Sequence, residues 1–119
     1  MQSSILAEKS KIFALEVIKL YQALQTEKEF VISKQILRSG TSIGANIREA
    51  IAGQSKQDFY AKICIAFKEA YETEFWLELL EESSLTKINV SQLQSMCGEL
   101  IKMLASTKLT TEKNLNYKK

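Results

Sequence analysis

The sequence predicts an all-α protein, folded as an antiparallel up-down four-helix bundle. Three observations predict it. Proline is absent and glycine occurs only four times in 119 residues, so little in the chain breaks a long helix. Apolar residues recur at steps of three and four in four separate segments, which is the spacing of one helical face. Short breaks join those segments, so each helix must turn back along its predecessor.

The first helix is expected over residues 4–24. Leu6, Phe13, Val17, Leu20 and Leu24 share one face, leaving Lys9, Lys11, Glu16 and Lys19 for water. A linker covers residues 25–32. Ser33 is the expected N-cap of helix two, with Ile32 and Leu37 as a hydrophobic staple. Helix two is expected over 33–53, with the inward row Ile36, Gly40, Ile43, Ile47 and Ala50. Gly40 and Gly44 each cost about 1 kcal/mol relative to alanine inside a helix. Close approach of a neighbouring helix backbone is the gain expected to offset that cost; the alternative is a kink near Gly40.

Ser55 and Asp58 have capping-box spacing and open helix three, expected over 56–82. One stripe of this helix is Phe59, Ile63, Ala66, Ala70, Thr73, Leu77 and Leu80, and a second is Tyr60, Cys64, Phe67, Tyr71 and Phe75. A surface helix needs one apolar face. The extra width implies either a central helix or contact with another subunit, and Ile65, Trp76 and Leu79 on a third, mixed stripe are the expected subunit interface. Asn89 is the expected cap of helix four, with Gln92 at the box position and an Ile88–Leu93 staple. Leu93, Met96, Cys97, Leu100 and Leu104 carry the core face over 90–106. The tail 108–119 lacks periodicity and is expected to fray.

A chain of this length is one domain, 1–119. Its formal net charge is +2, but Glu69, Glu72, Glu74, Glu78, Glu81 and Glu82 form an acidic band with no base among them, and bases outnumber acids on either side. Cys64 and Cys97 lie in apolar runs and read as buried free thiols in a reducing compartment. No apolar run reaches the ~20 residues that span a membrane, and the N-terminus lacks a secretory core, so the expected location is the cytoplasm. Histidine is absent. That removes Ser-His-Asp and Cys-His nucleophiles, His-ligated zinc and Glu-x-x-His di-iron sites. No catalytic residue, cofactor or metal site is expected, and the chain reads as nonenzymatic.

Two polar constellations stand out. Asn46 lies beside the inward row of helix two and needs hydrogen-bond partners if buried. Glu69, Glu74 or a main-chain carbonyl is the expected acceptor, and Asn46, Glu49, Glu69 and Glu74 form the expected structural network. Lys34, Arg38, Arg48 and Lys56 fall near one face of helix two, with Thr41, Ala45 and Ala52 between them. Such a row can follow phosphates while small side chains let a backbone come close. Glu74, Glu78, Glu81 and Glu82 read as a solvated acidic helix end, and Tyr60, Phe67, Tyr71 and Phe75 as packing residues.

The segment Ser42-Ile43-x-Ala45-Asn46-Ile47-x-Glu49 resembles the signature of a bacterial four-helix-bundle family, named for proteins encoded in intervening sequences of 23S rRNA genes. Phe59, Ile65-Ala66 and Glu69-Ala70-x-x-Thr73-Glu74-x-Trp76-Leu77 are similar to that family's third helix, and the likeness runs from about Phe13 to Leu104. Ala50 follows Glu49 where the family often has glycine. The resemblance implies a ring of subunits, commonly a homopentamer. It also implies kinship to the accessory variability determinant of diversity-generating retroelements, which binds nucleic acid and a reverse transcriptase. The expected function is therefore a nonenzymatic oligomeric accessory protein holding RNA or DNA backbone on Lys34, Arg38, Arg48 and Lys56. The alternative is a scaffold that docks a partner protein through helix three, with no nucleic-acid role.

Overall fold

The computed structural model describes residues 2–117. Four helices follow in order, α1 (Gln2–Thr26), α2 (Ile32–Ile51), α3 (Lys56–Glu82) and α4 (Ser91–Tyr117). No strand occurs among the described residues. α2 packs between α1 and α3, and α4 closes the bundle against α3 and α1. The long axis is 52 Å and the cross-section 23 × 22 Å, about two helix diameters each way. No helix of the described residues is long and apolar enough to cross a membrane.

The core is built from the stripes that the periodicity picks out. On α1, Leu6, Phe13, Val17, Leu20 and Leu24 are buried, and on α2 Ile36, Ile43, Ile47 and Ala50. α3 contributes Ile63, Ala66, Ala70, Leu77 and Leu80, and α4 contributes Cys97, Leu100 and Leu104. Burial pushes the Cys97 thiol up to about 12, with Glu74 adding to the shift. Its sulfur donates to the Ala70 carbonyl at 3.3 Å. A thiol held protonated in this way is a packing group rather than a nucleophile. Cys64 is only half-buried.

α2 approaches α1 closely where its glycines fall. A Cβ built on Gly40 stands 2.9 Å from both γ-carbons of Val17, and one on Gly44 stands 3.3 Å from Ser10 Oγ. Val17 is fully buried and β-branched, so it has little freedom to move aside. Gly98 in α4 is the counter-example, because an added Cβ there meets nothing within 4 Å. Gly40→Ala is expected to destabilise the fold by about 1–3 kcal/mol through overpacking, outweighing its helix-propensity gain. Gly98→Ala is expected to stabilise it by about 0.5–1 kcal/mol. Urea unfolding of both variants checks the opposite signs.

The turn between α1 and α2 departs from the expected cap. Lys28 takes a left-handed conformation at φ 64°. The N–H of Glu29 donates to the Leu24 carbonyl and that of Lys28 to the Gln25 carbonyl, each at 2.9 Å, which makes a Schellman ending. The Glu29 carboxylate then accepts from the N–H groups of Val31 (3.0 Å), Ile32 (3.1 Å) and Ser33 (2.7 Å). The cap of α2 is thus Glu29 rather than Ser33. Ser33 is buried inside the first turn, donating to the Glu29 carbonyl and accepting from Gln25 Nε2. A longer acid reached the helix start from four residues upstream and left the hydroxyl for a tertiary contact. Ser55 does cap α3, accepting from the Asp58 N–H at 3.0 Å. Asn89 Oδ1 accepts from the Ser91 N–H at 2.8 Å. Glu29→Ala strips three backbone donors of their acceptor and should cost about 1–2 kcal/mol, read as a lowered unfolding midpoint.

α4 runs to Tyr117, about three turns beyond the expected end near 106. The frayed tail assigned to 108–119 is therefore corrected over its described part, and residues 118 and 119 lie outside the described residues. Tertiary contacts hold the extension. Tyr60 on α3 donates its hydroxyl to Glu112 Oε2 at 2.5 Å, and Lys108 Nζ reaches the same oxygen at 3.1 Å. The Lys108 ammonium also lies 5.9 Å from the Phe67 ring centroid, and Thr111 is buried. The Tyr60 hydroxyl and then the Lys108 ammonium hold the Glu112 carboxyl below its ordinary range. The same bond raises the Tyr60 hydroxyl. A depressed carboxylate stabilises the fold above its unfolded pKa, and that contribution is lost as pH falls through the folded value. Glu112→Gln should therefore flatten part of the acid limb when urea midpoints are compared from about pH 6 to about pH 2.

Candidate nucleic-acid interface

The outer face of α2 is a row of Lys34, Arg38, Thr41, Ala45, Arg48 and Ala52, at steps of four and three. Every member is exposed except Thr41, which is half-buried. The row contains no carboxylate. Lys34 and Arg48 stand fourteen residues apart, about 21 Å along the helix. Neither makes an ion pair with a described residue.

The small residues beside this row open a groove. Ala7 and Ala14 of α1 face Thr41, Gly44 and Ala45 of α2, and Lys11 and Arg48 complete a cleft of 300 Å³. The glycine approach described above brings the two helices near enough for both cations to flank one depression. Lys11 also makes no ion pair with a described residue. It was assigned only to water from the sequence. The signal that points to it is the Ala7–Ala14 pair, one turn to either side of Lys11 and matched to the small residues of α2.

Arg38 is differently placed. Its guanidinium donates to Glu69 Oε2 at 3.3 Å and to Glu72 Oε2. The same Glu72 oxygen accepts from the Trp76 indole N–H at 3.0 Å. Three residues given separate roles by the sequence therefore meet in one α2–α3 cluster: Arg38 as phosphate contact, Glu69 as network member, Trp76 as interface residue. These side chains are partly exposed (52% for Arg38, 20% for Glu69 and 35% for Glu72). Each pair then adds no more than about 1 kcal/mol, but two carboxylates cancel the charge that Arg38 would offer a phosphate. Lys56 is exposed on the first turn of α3.

The polar network is dispersed rather than gathered. Asn46 Nδ2 donates within its own helix, to the Ser42 carbonyl at 2.9 Å and to Ser42 Oγ at 3.0 Å. Glu49 pairs with Lys62 at 2.8 Å, Glu69 with Arg38, and Glu74 lies half-buried on α3. The polar link that does cross the α2–α3 core joins Thr73 Oγ1 to Ser39 Oγ at 2.8 Å, and both residues are buried. Of the expected interface residues, Ile65 is exposed, while Trp76 and Leu79 are half-buried. The larger apolar exposure on α3 falls instead on Tyr71 and Phe75. No group of three His, Cys, Asp or Glu side chains among the described residues could hold a metal ion.

The chain matches the family of the 23S rRNA-intervening sequence protein over residues 2–106. It belongs to that family. A crystal structure of a protein of unknown function, from the S23 ribosomal protein family of Bacteroides thetaiotaomicron, superposes with a TM-score of 0.84 at 47% sequence identity. The match covers 91% of this chain and 98% of the other. No curated protein matches the sequence. The family match ends at residue 106, just past the buried Leu104 of α4, so the turn that Glu112 holds to Tyr60 lies beyond it.

Proposed function

We propose that this family member is a nonenzymatic accessory protein that holds the phosphate backbone of RNA or DNA on the outer face of α2, presented several times around a ring of identical subunits. The observation that carries the reading is the carboxylate-free row bearing Lys34 and Arg48, set beside the small-residue cleft flanked by Lys11. Unpaired cations over small side chains let a sugar–phosphate backbone come close without reading bases. One chain offers few contacts, and a ring multiplies them into a field that a single copy lacks. Lys56 joins this surface in the same reading. Arg38 contributes through the position of α3 rather than by direct contact, since Glu69 and Glu72 already neutralise it.

The test replaces the two unpaired bases of the α2 row and leaves Arg38 alone, because reversing Arg38 would set three acids together. Lys34→Glu with Arg48→Glu is expected to abolish binding of generic single-stranded RNA at low salt, with helicity and subunit number unchanged. Fluorescence anisotropy across a salt series measures it. Wild-type affinity in that double variant, or binding indifferent to salt, contradicts the assignment.

A further inference from the structure

The cleft between α1 and α2 has a depth that phosphate contact does not require. Its volume is 300 Å³, at the lower end of the range, about 300–1,000 Å³, of sites that take small ligands. Gly44 of α2 meets Ser10 of α1 and sets its middle level. The two helices run antiparallel. Ala7 and Arg48 therefore lie about one turn to one side of that level, and Ala14 and Thr41 about one turn to the other.

The walls are small and mostly apolar, with cations at the rim. No acid and no aromatic side chain lines the cleft. Thr41 donates its hydroxyl proton to the Leu37 carbonyl at 2.6 Å, and the buried Ser10 donates its own to the Ala7 carbonyl at 3.1 Å. Neither hydroxyl proton is left to read a base edge. Lys11 and Arg48 come from different helices, and neither pairs with a described carboxylate. Two acids neighbour them in sequence. Glu8, one turn before Lys11, is exposed and lies outside the cleft lining. Glu49, next to Arg48, pairs with Lys62 of α3 at 2.8 Å, on the side of α2 away from α1.

We infer that the cleft seats one unstacked base of a single strand, with Lys11 and Arg48 holding phosphates on either side of it, so that this face selects single-stranded over duplex nucleic acid. The inference rests on the phosphate reading given above and narrows its substrate class. Every base has an apolar face that can be buried against methyl groups, whatever its edge carries. A duplex keeps its bases stacked and paired, and turning one out toward the cleft costs that stacking and pairing. The cleft therefore adds nothing to duplex binding. Charge alone favours the opposite order, because a duplex carries one phosphate per about 1.7 Å of its axis. Ala14 and Ala45 stand on opposite walls, and a leucine at either position would fill the space.

The experiment compares an unstructured single-stranded RNA with an RNA duplex of the same length, on the full chain, by fluorescence anisotropy at low salt. The wild type is expected to bind the single strand about tenfold more tightly. Ala45→Leu, and separately Ala14→Leu, add bulk without changing charge. Ala45 is exposed, so its replacement leaves helical circular dichroism intact. Each variant should lose about tenfold in single-strand affinity. Duplex affinity, and the salt dependence of single-strand binding, should stay as in the wild type. Equal or tighter binding of the duplex by the wild type overturns the inference and leaves the phosphate reading standing. Wild-type single-strand affinity in either variant that keeps its helical circular dichroism does the same. Binding of neither RNA at low salt overturns both.

Discussion

Helix α2 sits against α1 at a separation that only hydrogen side chains permit. A methyl at Gly40 would fall 2.9 Å from both γ-carbons of a buried valine, nearer than apolar carbons sit at their optimum. That approach has consequences on every side of α2. It lets Ile36, Ile43 and Ile47 sink fully into the core. On the side facing α3, Ser39 meets Thr73 in a buried hydroxyl pair. The outer face of α2, with Lys34 and Arg48, stays exposed beside that approach. A glycine that weakens the isolated helix thus positions both the core and the basic face.

The remaining helix faces are sorted by charge. Bases on α2 that face α3 meet carboxylates there, as Arg38 meets Glu69 and Glu72. Lys34 and Arg48, the other bases of the outer row, pair with no described carboxylate. A net charge of only +2 is therefore compatible with a locally basic surface, because much of the acid is tied up at the α2–α3 seam or gathered at the far end of α3. An accessory protein that grips a backbone without sequence preference needs this local imbalance more than it needs a high overall charge.

Much of the fold was legible because helical periodicity fixes which side chains share a face. The α3 stripe from Ile63 to Leu80 and the α2 row from Ile36 to Ala50 are buried as the spacing implies. The glycine cost at Gly40 correctly announced a close helix neighbour. What stayed hidden depended on contacts across the bundle or on long side chains reaching back. Glu29 displaced Ser33 as cap because its carboxylate takes three N–H groups at once. The end of α4 looked polar and aperiodic, yet Tyr60, far away in sequence, anchors it through Glu112. Arg38 read as a free base because its partners lie on another helix, more than thirty residues on.

The central claim is that repeated copies of a small basic face act together on one phosphate backbone. The slope of log affinity against log salt concentration, for generic single-stranded RNA, measures how many phosphates are neutralised at once. Lys11, Lys34, Arg48 and Lys56 of one chain would give a slope magnitude of about 2.8, at about 0.7 per phosphate on a single strand. The account predicts a linear dependence several times steeper, at protein concentrations where the assembly is intact. A slope no steeper than one chain supplies, or no binding at low salt, would contradict it.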